Sequence, residues 1–296
     1  MPSKRARFAL LRGVCQTPAY VAHARGFFSD EGVESSVHIS PTAWMIPEQL
    51  LNGSCEFAVI PWTRVAAAEQ GEAPLKLLCG SGHEEAAIVV RQGLDPAQVK
   101  TVAIPREGGM KDLTAMGLLE SMGWSQAVQR RFPSGDGAII SFFGQGADAA
   151  SMVEPYAAMM EHLGVGRVVR RTGDIWPGAP GCSLSASAAL IAAEPELVQR
   201  VVNAYVRAIN FVHQHPEEAA AAAAPLIGVN EAIILKALHA NRPDANAIRH
   251  VDSMARILGL MQQLGYIREI PTHFADLRFL DRAQAATRSS YGTDAR

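Results

Sequence analysis

The sequence is short of the features that would place it quickly in a functional class. Cysteine is scarce: 4 of 296 residues, with Cys15, Cys55, Cys79 and Cys182 showing no C-x-x-C spacing, so a structural zinc site is not expected. Their wide separation favours free thiols and a reducing compartment. Charge of one sign is also missing. The 27 basic and 29 acidic side chains leave a formal net charge of -2 at pH 7, which provides no basic field for a phosphate backbone, and nucleic acid is not an expected partner. No apolar run approaches the roughly 20 residues of a membrane-spanning helix, so membrane insertion is not expected. The alanine run at 219–224 follows Glu217 and Glu218 and reads as a helix packed closely on a neighbour. Lys4, Arg5 and Arg7 resemble the basic start of an export signal. The apolar stretch behind them covers only residues 8–11 before Arg12, against the roughly 7–15 residues such signals need. The expectation is therefore a cytosolic chain, or a mature segment whose leader was removed. The G-x-S-x-G, H-E-x-x-H, P-loop and dinucleotide-binding fingerprints are absent, and no cofactor is expected. His213-x-His215 at a helix end and His83 beside Glu84 and Glu85 do not bring three ligands together locally. They read as solvated groups, and no metal site is expected.

What is present is a globular pattern, 48% hydrophobic and 19% charged, long enough for two cores. Short β-like runs alternate with helical ones through the first two-thirds, the signature of an α/β fold. A strand over 8–14 leads into a helix with Thr17 as N-cap and Pro18 at its first position. Further strands are expected at 57–60, 75–79, 101–104, 128–132, 151–153 and 166–170. Helices are expected at 62–70 (stopped by Gly71), from Gly109 to 122 and at 155–163. Beyond Ser183 the pattern turns helical, at 196–213, 216–224, 230–240 and 251–264. The polar tail, 284–296, is expected to fray. Periodicity alone does not decide between one doubly wound sheet and two sheets.

Five local patterns follow one another in an order that resembles the sulfonate/nitrate/taurine and thiamine-precursor class of ABC-transporter solute-binding proteins. They are Thr17-Pro18-Ala19-Tyr20-Val21-Ala22 with Gly26-Phe27-Phe28 and Glu31-Gly32-Val33; Leu50-Leu51-Asn52-Gly53 with Glu56-Phe57-Ala58; Gly108-Gly109-Met110-Lys111-Asp112-Leu113; Gly146-Ala147-Asp148-Ala149 running into Glu154-Pro155; and Ser185 to Leu190 followed by Glu194-Pro195-Glu196-Leu197, then His215-Pro216-Glu217-Glu218-Ala219. The resemblance implies a type II periplasmic-binding-protein fold: two α/β lobes joined by two hinge segments, with a helical C-terminal region. Lobe one would comprise 1–85 plus 185–296 and lobe two 86–184, with linkers near 85–91 and 181–187. It also implies a monomer that captures a small molecule between its lobes, an ABC permease as partner and a periplasmic location.

On such a scaffold ligands settle at strand carboxyl ends beside helix N-termini, where free N–H groups and the helix dipole suit an anion. Thr17, Pro18 and Ala19 mark one such place, with Cys15 beside them, and Gly108, Gly109, Met110 and Lys111 a second. The glycines either admit a ligand or only make a tight turn. Trp62 either stacks a flat ligand or closes the floor of lobe one, and Arg64 either reaches an anion or faces solvent. Glu154 either accepts a ligand amine or caps the next helix. Trp44 and Tyr156 belong to the cleft or to the core. The expected ligand is a small organic anion or a nitrogen heterocycle.

An enzyme on the same scaffold is the alternative. Cys15, in the first strand–helix turn, is similar to the position of a cysteine in aromatic sulfinate desulfinase, and a helix dipole would favour its thiolate. Arg64 would then clamp the anion. That enzyme's Arg-x-Gly-Gly is not matched, because Val65, Ala66 and Ala67 follow Arg64. The cysteine cluster of the pyrimidine-synthase relatives is also missing. A ligand sensor is the third reading.

Overall fold

The computed structural model describes residues 4–69 and 74–292. It contains two separate five-stranded sheets, one in each half of the fold. The first is built from β1 (Lys4–Leu10), β2 (Val33–Ile39), β3 (Phe57–Pro61), β4 (Leu75–Gly80) and β10 (Cys182–Ser187), in the order β2-β1-β3-β10-β4. The second uses β5 (Ala86–Arg91), β6 (Thr101–Pro105), β7 (Val128–Phe132), β8 (Ala149–Val153) and β9 (Gly166–Arg171), in the order β7-β6-β8-β5-β9.

The two sheets share one plan. Four strands run in one direction, and the strand that arrives from the other half is inserted antiparallel: β10 between β3 and β4, and β5 between β8 and β9. The chain crosses twice, through 81–85 and 172–181, and the crossings run side by side. Ser81 N–H donates to the Cys182 carbonyl (3.0 Å), Gly181 N–H to Gly82 (2.9 Å) and Glu84 N–H to Ala179 (2.9 Å). Because β10 starts at Cys182, residues 182–184 pair within the first sheet, although the sequence division grouped them with the second lobe.

Helices cover both sheets. In the first half these include α1 (Thr17–Ala24), α2 (Phe27–Asp30), α3 (Ile46–Leu51) and α4 (Trp62–Ala68). In the second they are α5 (Met110–Leu118), α6 (Gly135–Phe143) and α7 (Tyr156–His162). The C-terminal helices α8 (Ala188–Ala193), α9 (Pro195–Gln214), α10 (Pro216–Ile227), α11 (Glu231–Asn241), α12 (Val251–Gln263) and α13 (Arg278–Gly292) pack back onto the first half. Phe8 on β1 is sandwiched between Phe28 and Phe57, with ring centroids 4.6 and 5.4 Å away. That stack ties α2 to the strands beneath it.

Several local expectations change. The first strand is Lys4–Leu10 rather than 8–14, and β10 continues to Ser187 before the helical region begins. Thr17 does not cap α1. A 3-10 turn, Val14–Gln16, runs directly into the helix, which makes Gln16 the N-cap, places Thr17 inside the first turn, and leaves its hydroxyl buried without a partner. The helix opened by Gly109 is regular only to Leu118, and the chain turns twice before Gly123. The C-terminal segment is helical through Gly292 rather than frayed, because Phe279, Leu280 and Ala283 are buried in the first-half core and Gln199 donates to the Phe279 carbonyl (3.0 Å). Gly71 and residues 293–296 lie outside the described residues.

That docking has a measurable energy. Leu280→Ala removes a fully buried side chain, so unfolding in urea is expected to show a loss of about 2–5 kcal/mol. A loss below about 0.5 kcal/mol would be the surface value and would mean that α13 is not part of the core.

Candidate functional site

A cavity of about 310 Å³ lies between the two sheets. The first half lines it with the loop after β1 (Leu11, Arg12, Gly13, Cys15), the loop after β2 (Ser40, Pro41, Thr42, Ala43) and Pro61 and Arg64 around the start of α4. The second half contributes Pro105 and Arg106 at the end of β6, the first turns of α5 (Gly109, Met110, Lys111) and α6 (Ser134, Gly135, Asp136), and Met152, Val153 and Tyr156. Glu85 and Cys182 enter from the two crossings. Strand ends and helix starts from both halves therefore meet, as expected for open α/β sheets.

The two halves also touch across this space. Val14 N–H donates to the Glu154 carbonyl (2.8 Å), which ties the 3-10 turn to the end of β8. At the mouth, Trp44 Nε1–H donates to the Pro133 carbonyl (3.1 Å), Thr42 reaches the same oxygen (3.3 Å), and the Arg106 guanidinium lies 4.5 Å from the Trp44 ring centroid. Trp44 thus belongs to the cleft mouth, and Tyr156 faces the cavity.

Cations dominate the lining. Arg12, Arg64, Arg106 and Lys111 face Glu85, Asp112 and Asp136, and Asp112 is already bound to Arg131 and to the Gly108 N–H. Arg64 donates to the Glu107 carbonyl (2.8 Å), while its Nε–H is buried with no partner. Burial pulls its pKa down to about 10, with nearby Asp112 opposing, so it remains charged near neutral pH. Burial likewise lowers the Lys111 ammonium, against the pull of Glu85. Among the described residues the Lys111 ammonium has no hydrogen bond or salt bridge of its own. Two helix starts, Gly109 for α5 and the Ser134-capped start of α6, point their first N–H groups at the same space. Gly108 sits just behind at φ +83, a left-handed conformation that glycine adopts without strain.

The crossings bring together a cluster that chain order hides. Cys15 Sγ and Cys182 Sγ are 3.1 Å apart, and Gln16 Nε2 contacts them at 3.1 and 3.5 Å. Glu85 sits against both, 3% exposed, with Oε2 buried and unpartnered. Burial raises its carboxyl pKa, while the two thiols and Lys111 oppose the rise. At Cys15 the contact with Cys182 lowers the pKa, but burial and the Glu85 carboxylate together leave it raised.

Several expected site residues are placed elsewhere. Thr17, Pro18 and Ala19 do not line the cavity: the 3-10 turn shifts the rim upstream to Gly13 and Cys15, and all three are buried beneath it. Trp62 is fully buried and stacks on Phe274 with ring centroids 6.1 Å apart. Trp62 and Arg64 are two residues apart on α4, about 200° around the helix, so only one can face the cavity. The carboxylate of Glu154 accepts from Arg171 (2.8 Å) and from the Ala158 N–H (3.0 Å) and is not presented to a ligand. Conversely, Arg12, Thr42, Glu85, Arg106, Ser134, Asp136 and Cys182 line the cavity without having been singled out for it. The Ser134-Gly135-Asp136 start was readable as a capped helix N-terminus. Cys182 and the burial of Glu85 carried no local signal.

The NMT1-like family profile matches residues 1–228. The chain belongs to the NMT1-like family. A search of curated protein sequences gives no significant match. Among solved structures, this NMT1-like chain is similar to the ligand-binding component of an ABC-type import system from Staphylococcus aureus with zinc bound, at TM-score 0.82 and 14% identity, covering 95% of this chain and 99% of that one. It is also similar to the alkanesulfonate-binding protein SsuA from Xanthomonas axonopodis pv. citri bound to MOPS, at TM-score 0.76 and 15% identity over 93% and 96% of the two chains. The periplasmic nitrate-binding protein NrtA from Synechocystis PCC 6803 matches at TM-score 0.71 and 17% identity, covering 79% of this chain and 69% of that one. At these identities the likeness is one of fold, the periplasmic-binding-protein fold.

The environment of Cys15 bears on the enzyme alternative, because a buried thiol with a raised pKa is a poor nucleophile. Iodoacetamide at pH 8, with mass-spectrometric readout, is expected to label Cys15 more slowly than free cysteine. Labelling faster than free cysteine would restore the catalytic reading.

Proposed function

We propose that the protein is the solute-binding component of an ABC importer and captures a small organic anion, of the sulfonate or carboxylate class, in the cavity between its halves. The observation that carries this reading is the pair of cations without dedicated carboxylates, Arg64 and Lys111, set beside the starts of α5 and α6. A buried guanidinium Nε–H with no acceptor and an ammonium with no partner among the described residues are donors in need of an anion. The neighbours that bind sulfonate and nitrate, and the family match, support the same reading. An ABC permease is then the partner, and the family supports a periplasmic location.

The division into lobes of about 1–85 plus 185–296 and 86–184 belongs to this proposal, with the paired crossings as hinge. Solute entry requires the Trp44, Thr42 and Arg106 contacts at the mouth to part, and their re-formation would seal the bound solute. The closed state forms on binding because the solute gains contacts there that the open state lacks.

Two measurements test this. Calorimetry against a panel of alkanesulfonates and small carboxylates should find a binder, with Lys111→Met and Arg64→Met each weakening it about 10–100-fold, the worth of one charge-assisted hydrogen bond. Small-angle scattering should show a smaller radius of gyration at saturation. No binder in the panel, or an unchanged radius with a bound one, would count against the receptor reading.

A further inference from the structure

We propose that the floor of the cavity is a binding site for one thiophilic divalent cation of the zinc type, held by Cys15 Sγ, Cys182 Sγ and the Glu85 carboxylate, with its fourth coordination position open to the cavity. These three donors lie within 4.8 Å of one another, all on buried residues. They come from three places in the chain: the turn after β1, the first residue of β10 and the end of the first crossing. Two thiols and a carboxylate form a donor set suited to tetrahedral zinc, with the remaining position free for a ligand, as in sites that bind substrate. Metal–sulfur bonds of about 2.3 Å imply a sulfur–sulfur separation of roughly 3.8 Å. Widening the observed 3.1 Å contact to that value requires movement of under 1 Å.

Glu85, set against both thiols, also has an oxygen without a partner. Its Oε2 is buried and accepts no hydrogen bond, an arrangement that costs free energy unless something binds there. The pocket for this carboxylate is built in. A side chain at Gly181 would place its Cβ 2.7 Å from Oε2, so only glycine leaves the carboxylate its position. Charge also balances. Two thiolates and a carboxylate around a divalent ion leave one net negative charge, and the Lys111 ammonium faces the same cavity. Gln16 Nε2 touches both sulfurs and would serve as the outer hydrogen-bond donor that steadies metal-bound thiolates.

The site stands apart from the solute reading: failure to bind any organic anion would leave it untouched. It is tested on the full chain, reduced, stripped with chelator and titrated with Co²⁺ under exclusion of oxygen, with Zn²⁺ as competitor. The expected result is one equivalent of Co²⁺, giving a near-ultraviolet thiolate-to-cobalt charge-transfer band that Zn²⁺ abolishes. Cys15→Ser and Cys182→Ser should each weaken Zn²⁺ binding by more than about 100-fold, and Glu85→Gln by at least about tenfold, given that even outer-shell losses reach this range. The wild-type spectrum decides by itself should a variant fail to fold: no charge-transfer band overturns the proposal. A band that survives both cysteine substitutions would place the metal elsewhere and overturn it too. So would a Cys15–Cys182 disulfide found in protein purified without added oxidant.

Discussion

A carboxyl group buried where two sheets exchange strands is the constraint on which this structure turns. Glu85 ends the first crossing and sits inside the protein, 3% exposed. Removing a carboxylate from water is expensive unless charge or hydrogen bonds replace the lost solvation. Here the replacement is only partial: Cys15 and Cys182 on the first sheet's side and Lys111 from the first turn of α5 favour the charged form, while burial still raises the pKa and Oε2 accepts no hydrogen bond. The backbone around it is equally committed. The crossings hydrogen-bond to each other, Gly181 leaves room for the carboxylate, and His83, two residues upstream, is fixed by Asp244 and the Gly178 carbonyl, both at 3.0 Å. The joint is therefore an ordered polar core, and the cavity opens directly above it.

That placement gives the two halves different work. The second supplies two helix starts and Lys111, which together form a positive, hydrogen-bond-donating wall. The first supplies Arg12 and Arg64, and reaches over with Thr42 and Trp44 to touch Pro133 and Arg106. An anion resting on one wall would be covered by the other, which is the geometry a hinged receptor requires. The thiol–carboxylate floor adds chemistry that a simple anion pocket does not need, and it is the part of the cavity that the solute reading leaves unexplained.

Much of the fold was legible because local rules and tertiary packing agree. The long C-terminal helices α9, α10, α11 and α12 fall within a few residues of their expected bounds: amphipathic periodicity marks α9 and α12, and the Pro216 start and alanine run mark α10. The parallel strands were marked by buried β-branched runs such as Phe57–Pro61. Strands β2 and β7 differ in this respect: both are edge strands with mostly exposed or half-exposed side chains, and only β7 was expected. The site was half legible. Gly109 through Lys111 announce a helix start by composition. For Trp62 the sequence left ligand stacking and the floor of lobe one both open, and the floor is its place: the helix begins at that residue, directly after the strand, and turns it toward Phe274, more than 200 residues away in sequence. The Cys15–Glu85–Cys182 cluster was invisible for the same reason: its members are separated by 70 and 97 positions and meet only through the strand exchange.

The most direct test of the central claim is a double-mutant cycle on Glu85 and Lys111, measured by urea unfolding of Glu85→Gln, Lys111→Met and the double variant. If the Lys111 ammonium acts through space on the buried carboxyl group, the two losses will fail to add, with a coupling of at least about 1 kcal/mol. Additivity within about 0.3 kcal/mol would mean that the two groups do not sense each other, and would contradict a floor whose buried carboxyl group feels the cations of the cavity above it.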